Sequence, residues 1–205
     1  MFTGIVQGVA EVAEIHEQEQ LRTLTIKGPS ALVNQLERGA SVAINGVCLT
    51  ATEFDSQAGW VQFDVIAETL AKTNLDKLLK GSKVNFERSL TFGSEIGGHI
   101  VSGHIQATAV LLQLEKTATN CHMRLQVAAE LMPYILSKGF VAVEGCSLTV
   151  GECYAEGFSL HLIPETLVLT TLGDKQPGDL LNIELDQQTV TIVRTVERIM
   201  AERYQ

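Results

Sequence analysis

The stretch Asn45-Gly46-Val47-Cys48-Leu49-Thr50 returns in altered form 99 residues later as Glu144-Gly145-Cys146-Ser147-Leu148-Thr149. An Asn-Gly pair between alternating apolar residues is a strong hairpin signal, because both residues tolerate the positive φ of a type I′ turn. The second copy keeps the glycine but not the asparagine. Beyond the turn, the first copy carries a thiol and a hydroxyl, whereas the second carries two hydroxyls. The sequence therefore predicts two similar turns beside two pockets with unequal functions.

The repeat extends over most of the chain. Residues 3–10 (TGIVQGVA) align with residues 102–109 (SGHIQATA) at the same offset of 99 residues. Residues 61–87 align with residues 158–184 at an offset of 97, with nine identities in 27 positions, so one loop is two residues shorter. A period this long is typical of two copies of a whole domain. We predict domains at 1–95 and 96–188, followed by a C-terminal segment, 189–205, that does not repeat.

The pattern within each half favours β-structure. Short segments rich in Val, Ile, Leu, Thr and Phe alternate with turn residues, as in an all-β barrel or sandwich. Apolar spacing predicts one helix in each half, over 29–36 and 128–137, and a further short helix or turn after Glu68 and Glu165. In the tail, apolar residues recur with a helical period. Because an isolated helix of this length is marginal in water, its apolar side needs a partner, either its own barrels or other subunits.

Composition excludes several classes of function. With 45% apolar and 19% charged residues, the 205-residue chain is expected to be folded and soluble, and no apolar stretch approaches the length of a membrane span. The start, Met1-Phe2-Thr3-Gly4, lacks the features of a signal peptide, so we expect a cytoplasmic location and reduced cysteines. A net charge of −9 without a basic cluster argues against nucleic acid as a partner.

Two positions differ between the halves in a way that suggests chemistry. Cys48 and Ser147 occupy the same place in their repeats, so a divergence of function would appear there. A cysteine in an apolar run is, however, more often a small buried hydrophobic residue, and a serine there usually bonds to backbone. His104 stands where the first half has Ile5, and a polar ring at such a position needs a hydrogen-bond partner or a cavity.

Other polar residues have structural explanations of equal weight. His99 lies five residues before His104, but no third ligand accompanies the pair, so no metal site is predicted. Glu68-Thr69 and Glu165-Thr166 could contact a polar ligand or cap a short helix. Asp186 replaces a serine of the first half, and a surface carboxylate is the simpler explanation of this residue.

Five stretches together resemble the α-type riboflavin synthase family over essentially the whole chain. They are MFTGIVQG (1–8), NGVCLT (45–50), IGGHIVSGHI (96–105), EGCSLTV (144–150) and HLIPETL (161–167). The resemblance implies an all-β protein of two tandem six-stranded antiparallel Greek-key barrels plus a C-terminal α-helix that joins three chains into a homotrimer. It implies no cofactor, and it suggests association with lumazine synthase.

The activity implied by the resemblance is that of a transferase. Two molecules of 6,7-dimethyl-8-ribityllumazine exchange a four-carbon unit, giving riboflavin and 5-amino-6-ribitylamino-2,4(1H,3H)-pyrimidinedione. The duplication fits this reaction, because two copies of one substrate require two related sites. The N-terminal barrel of one subunit would face the C-terminal barrel of its neighbour.

The resemblance also assigns roles by position. Catalytic roles fall to Cys48, His104, Ser147 and Asp186; Cys48 and Ser147 would help to add or orient a nucleophile at the ring, and His104 would relay protons. The first substrate site would be lined by Phe2, Cys48, Thr50, Glu68, Thr69 and His104, and the second by Ser147, Thr149, Ile163, Thr166 and Asp186. Further substrate contacts are implied for Thr3, Gly4, Ile5, Val6, Gly103, Lys138 and Gly145.

Two departures and two alternatives accompany this interpretation. Glu144 stands where the family usually has Asp, which puts the hydrogen bonding of the second turn in question, and Cys146 replaces an aliphatic or small residue.

A non-catalytic lumazine- or flavin-binding antenna protein would depart from the family around SGHI, which is intact at 102–105. An oligonucleotide-binding barrel is disfavoured by the acidity and by an aromatic content of only 5%.

Overall fold

The structure, a computed structural model, describes residues 1–203. Over these residues the chain forms two closed six-stranded antiparallel barrels. The strands of the first are β1 (Gly8–Gln18), β2 (Leu21–Lys27), β3 (Ser41–Ile44), β4 (Val47–Asp55), β5 (Trp60–Ile66) and β6 (Lys83–Arg88). Those of the second are β7 (Ala107–Lys116), β8 (Cys121–Gln126), β9 (Phe140–Val143), β10 (Cys146–Tyr154), β11 (Gly157–Leu162) and β12 (Leu180–Leu185).

The strand order is that of a Greek key in both halves. In the first barrel β2 pairs with β5, while β3 and β4 form a hairpin whose other edge pairs with β6. The second barrel repeats the arrangement with β8 on β11 and β9 between β10 and β12. Alternate residues of each strand face a separate apolar core, which includes Phe63 in the first barrel and Phe158 in the second. The predicted tandem barrels are therefore confirmed.

Short helices interrupt each barrel. They are α1 (Ser30–Val33), α2 (Ala67–Lys72) and α3 (Pro164–Leu169), together with 3₁₀ turns at Asn74–Lys77, Ala129–Tyr134 and Thr171–Asp174. The helices predicted over 29–36 and 128–137 are shorter than their patterns suggested. Gln35 has a positive φ of 55° just beyond α1, and Pro133 lacks the N–H that a continuing α-helix would need.

The C-terminal helix α4 (Gln187–Arg203) begins two residues before the start that its apolar period predicted. The cause is Asp186, whose carboxylate accepts hydrogen bonds from the backbone N–H of Thr189 (2.9 Å) and of Gln188 (3.4 Å), the arrangement of a helix N-cap. Val190 is buried against the second barrel. Within residues 1–203, no helix is both long and apolar enough to cross a membrane.

The two predicted turns meet at the contact between the barrels. Both central residues of each turn have positive φ: 47° and 81° at Asn45-Gly46, and 51° and 79° at Glu144-Gly145. A Cβ added to Gly46 would lie 2.6 Å from the backbone nitrogen of Gly145, and the reciprocal distance is 2.7 Å. The barrels therefore touch backbone to backbone, which only glycine permits at this distance.

Equivalent hydrogen bonds within each barrel support this contact, and they show how Glu144 is bonded in the second turn. The Asn45 side chain accepts from the backbone N–H of Asn85 (2.8 Å), and the Glu144 carboxylate accepts from that of Asn182 (2.8 Å). The longer glutamate also reaches Lys175 Nζ at 2.8 Å. Burial raises the pKa of Glu144, and the charge of Lys175 opposes that rise. Glu144 thus replaces the asparagine of the first turn and adds a buried ion pair.

The first residues of each half cross to the other barrel. Phe2 and Val101 form a two-way backbone bridge with N–O distances of 2.7 and 3.0 Å. Beyond it, the carbonyl of Gly4 accepts from the Ser147 N–H in the second barrel, and the carbonyl of Gly103 accepts from the Cys48 N–H in the first, each at 2.8 Å. At Ser147 and at Cys48, therefore, a barrel of one half is joined to a crossing segment of the other.

Candidate functional site

Ser147 lies where β10 begins, enclosed by two glycines. A Cβ on Gly4 would come within 2.6 Å of the Ser147 Cβ, and a Cβ on Gly98 within 2.7 Å. These glycines let two backbone segments approach the serine closely. Its hydroxyl Oγ lies 2.7 Å from His99 Nδ1, which is a hydrogen bond between a hydroxyl and an imidazole. Ser147 is half-buried, so the hydroxyl keeps access to one side.

His99 bonds to Ser147, a contact that the sequence did not reveal. It is 8% exposed and stacks on Phe140, with ring centroids 5.1 Å apart and an interplanar angle of 17°. Burial lowers the pKa of His99, and the negative charge of Asp186 opposes this shift. The neutral imidazole is therefore favoured. The described residues 1–203 contain no group of three metal-binding side chains.

A cavity of about 770 Å³ opens beside His99 at the start of α4. It is lined by His99 and Phe140, by Ile96 and Ile100, and by Asp186, Gln187, Gln188, Thr191 and Ile192. Burial raises the pKa of Asp186, but hydrogen bonds from Thr189 and Gln188 and the nearby His99 outweigh it, so the pKa lies below its ordinary value. Asp186 is thus an ionised helix cap at the edge of this cavity.

Cys48 has the corresponding place at the start of β4. Gly103 lies so close that a Cβ on it would be 2.5 Å from the Cys48 Cβ. His104, which follows Gly103, is exposed, and its backbone N–H donates to Ser102 Oγ at 3.2 Å. The half-buried Cys48 and the exposed His104 are therefore linked through Gly103, whose carbonyl accepts from the Cys48 N–H.

The two regions are related but chemically unequal. At the offset of 99 residues, Cys48 corresponds to Ser147 and His104 corresponds to Ile5. His99 lies in the segment that links the two barrels, before the repeat resumes at residue 102. The second region thus contains a hydroxyl bonded to a buried imidazole, and the first contains a half-buried cysteine and an exposed histidine.

The eighteen predicted site residues fall into three groups by exposure. The exposed ones are Ile5, Thr50, Glu68, His104, Lys138, Thr149 and Ile163, and the half-buried ones are Cys48, Thr69, Ser147, Thr166 and Asp186. The buried ones are Phe2, Thr3, Gly4, Val6, Gly103 and Gly145. The Phe2 side chain has no exposed surface and packs between the barrels, Val6 joins the second core, and Gly145 packs on Gly46. These three residues therefore support the crossing segments and the turn contact.

Glu68-Thr69 and Glu165-Thr166 both lie on the short helices α2 and α3. Glu68 is exposed and forms an ion pair with Lys72 at 2.7 Å, and this hydrogen bond lowers the pKa of Glu68. The backbone carbonyls of Thr69 and Thr166 accept hydrogen bonds from Thr73 and Thr170. The side chains of these repeated residues remain accessible to a ligand at the surface.

Comparison with known proteins identifies the family. The model of the lumazine binding domain family matches the chain twice, over residues 3–89 and 102–186. Riboflavin synthase of Escherichia coli (strain K12) is 48% identical over 204 residues, which cover 99% of this chain and 95% of that protein. Riboflavin synthase of Buchnera aphidicola subsp. Schizaphis graminum (strain Sg) is 43% identical over 201 residues, covering 98% and 96%.

Solved structures agree with the fold. The crystal structure of LumP complexed with riboflavin matches with a TM-score of 0.85 and 24% identity, covering 91% of this chain and all of that one. The structure of LumP complexed with 6,7-dimethyl-8-(1'-D-ribityl) lumazine matches with a TM-score of 0.83 and 23% identity over the same share of this chain. From the two matches to the family model and the full-length similarity to curated relatives, the chain belongs to the riboflavin synthase family of lumazine-binding proteins.

Proposed function

We propose that this protein is a riboflavin synthase, which transfers a four-carbon unit between two molecules of 6,7-dimethyl-8-ribityllumazine. The observation that carries the proposal is the pair of related but unequal sites, Cys48 beside Gly103-His104 and Ser147 beside Gly4 and His99. A protein that only holds a chromophore needs one such site. A dismutation needs two, because one substrate molecule donates the unit that the other accepts.

Positioning would supply much of the rate acceleration. The C7 methyl group of the lumazine is acidic already, because the carbanion is delocalised through the ring system. Holding two bulky rings in one orientation removes the entropic cost of their encounter, which can be worth about 7–11 kcal/mol. The narrow backbone approaches at Gly4 and Gly103 suit such fixed geometry, since neither position has room for a side chain.

The second site offers an activated hydroxyl. With its proton on Nε2, neutral His99 accepts the Ser147 hydroxyl proton at Nδ1, which increases the nucleophilic character of Oγ. Ser147 would then help to add or orient a nucleophile at the ring. In the first site Cys48 would have the corresponding role, and His104 would relay protons between ligand and solvent.

A homotrimer would complete the sites. Three large apolar residues, Ile66, Ile163 and Phe140, are about half exposed or more in a single chain, at 54%, 62% and 48%. Residues of α4 that share one apolar side are likewise exposed. We propose that α4 joins three chains and that the first barrel of one chain covers the second barrel of the next. The two lumazines would then react face to face in a water-excluded space.

The proposed activity is tested by incubating the purified chain with 6,7-dimethyl-8-ribityllumazine. We expect riboflavin and the ribitylamino-pyrimidinedione to accumulate in equal amounts, with two lumazines consumed per riboflavin, as measured by chromatography. An antenna protein would bind the lumazine and become fluorescent without forming riboflavin. That outcome would contradict the proposal.

The role of His99 predicts a specific pH dependence. Because burial lowers its pKa, the neutral form persists below the ordinary imidazole value of about 6.5. We expect kcat/KM to stay level from neutral pH down to that value and to fall as His99 becomes protonated at lower pH. His99→Asn should lower kcat/KM by roughly tenfold and remove this acid limb, because the amide can bond to Ser147 but does not titrate. An unchanged acid limb in His99→Asn would assign the titration to another group.

A further inference from the structure

Two buried glutamates with equivalent places in the repeat hold the two crossing segments. Glu87 lies on β6 and Glu184 on β12, and each is only 3% exposed. Neither residue is among the predicted site residues. Both accept hydrogen bonds from the segment that leaves their own barrel, just before it reaches the other one.

Glu184 uses both carboxylate oxygens. Its Oε1 accepts from the backbone N–H and the hydroxyl of Ser102, each at 2.7 Å, and its Oε2 accepts from the backbone N–H of Gly103 at 2.8 Å. The carbonyl of Gly103 in turn accepts from the Cys48 N–H at 2.8 Å. An unbroken series of contacts therefore leads from a carboxylate in the second barrel to the thiol-bearing residue of the first.

Glu87 uses only one oxygen. Its Oε1 accepts from the backbone N–H of Thr3 at 2.7 Å and from the Thr3 hydroxyl at 2.8 Å. Its Oε2 is buried and has no hydrogen-bond partner. Beyond Thr3, the carbonyl of Gly4 accepts from the Ser147 N–H at 2.8 Å. Burial raises the pKa of Glu87, and the bonds from Thr3 oppose that rise. The backbone N–H groups of Ile5 and Gly4 also oppose it, although neither reaches Oε2 with hydrogen-bond geometry.

We propose that Glu184 and Glu87 are positioning residues that act across the barrel contact, each fixing the site of the opposite barrel, and that only Glu184 requires both acceptor oxygens. This inference rests on the proposed function for what the sites bind. An amide at position 184 would turn an N–H toward the N–H of Gly103 or of Ser102, and two donors repel each other. An amide at position 87 can keep its oxygen on Thr3 and place its nitrogen where Oε2 has no partner.

The matched variants Glu184→Gln and Glu87→Gln test this asymmetry. Riboflavin is the probe, and each variant is read at the site that its glutamate supports, by protection of a thiol against iodoacetamide followed by mass spectrometry. For Glu184→Gln the thiol is Cys48; for Glu87→Gln it is the thiol introduced by Ser147→Cys, with a parent that carries the same substitution. All proteins carry Cys153→Ser, because Cys153 is exposed whereas Cys121 and Cys146 are buried. We expect Glu184→Gln to need at least tenfold more riboflavin for protection of Cys48, and Glu87→Gln to stay within about threefold of its parent for protection at position 147. The rate of riboflavin formation should likewise fall more in Glu184→Gln than in Glu87→Gln.

Further measurements separate positioning from folding and from the reaction itself. Melting temperatures within a few degrees of the parent would show that the sites changed in a folded protein. An equal fold-change in the two variants, each measured at the site that its glutamate supports, would overturn the proposal. Should Glu184→Gln not fold, Ser102→Ala removes one donor to Glu184 and should still weaken protection of Cys48 severalfold; unchanged protection in that variant would also overturn it. If the parent binds riboflavin but forms none from the lumazine, the proposed reaction fails while the protection assay still decides the roles of the glutamates.

Discussion

The paired substitution Val196→Glu and Ile199→Lys in α4 is expected to abolish riboflavin formation while each chain stays folded. Four residues on one side of this helix are exposed in the single chain: Ile192 by 63%, Val196 by 54%, Ile199 by 46% and Met200 by 45%. If that side joins three subunits, the two substitutions bury charges in an apolar contact, which costs several kcal/mol per uncompensated ion. The sites would then lose the neighbouring barrel that completes them.

The design keeps the helix itself intact. A glutamate three residues before a lysine forms a favourable pair on a helix surface, worth about 0.2–0.5 kcal/mol. Val190, which anchors the start of α4 in the second core, is unchanged. A far-ultraviolet circular dichroism spectrum like that of the parent would show that the fold is retained, and sedimentation equilibrium would give the mass of a single chain.

The matched control is Arg198→Glu with Ala201→Lys, which introduces the same pair at the same spacing on the opposite side of α4. Both positions are exposed. We expect this variant to stay trimeric and active. Cys48→Ala and Ser147→Ala offer a second comparison, since each should retain measurable activity if positioning outweighs the action of one side chain. A monomeric Val196→Glu/Ile199→Lys protein with parental turnover would contradict a site shared between subunits.

Much of the fold could be predicted because its signals are local and repeated. The Asn45-Gly46 turn needs only its own two residues to specify positive φ, and the copy at Glu144-Gly145 keeps the conformation with a glutamate at φ 51°. The apolar period of α4 is likewise contained within the helix. Patterns of this kind predicted two all-β halves, the turns and the terminal helix, and the family resemblance implied that each half is a six-stranded barrel.

The parts of the site that could not be predicted depend on contacts between residues that are far apart in the sequence. His99 lies in the segment between the two matched stretches of the chain, and its partner Ser147 lies 48 residues away in the sequence. The crossing segments likewise depend on Glu87 and Glu184, which bond to residues 84 and 82 positions earlier. Such partners leave no periodic or local signal in the sequence. The motifs therefore predicted which segments lie at the site, whereas the contacts between their side chains could be seen only in the folded structure.

The second large effect is expected at the contact between the barrels, where Gly46→Ala should strongly destabilise the protein. Gly46 has a φ of 81°, and the new Cβ would lie 2.6 Å from the nitrogen and 2.9 Å from the Cα of Gly145. These are backbone atoms of a tight turn that cannot rotate away as a side chain could. The left-handed conformation alone costs a non-glycine residue roughly 1–2 kcal/mol. Forced separation of two packed surfaces adds about 1–3 kcal/mol.

Gly39→Ala is the matched control, because Gly39 has a similar φ of 86° and a Cβ there would meet nothing within 4 Å. It should show the conformational cost alone, so the difference between the two variants measures the contact between barrels. We expect Gly46→Ala to be less stable than Gly39→Ala by about 1–3 kcal/mol in urea unfolding at one protein concentration. Gly145→Ala should match Gly46→Ala, because its Cβ would lie 2.7 Å from the Gly46 nitrogen. Equal stabilities for Gly46→Ala and Gly39→Ala would mean that the barrels separate at little cost, and the crossing segments, rather than the two turns, would then hold the halves of the molecule together.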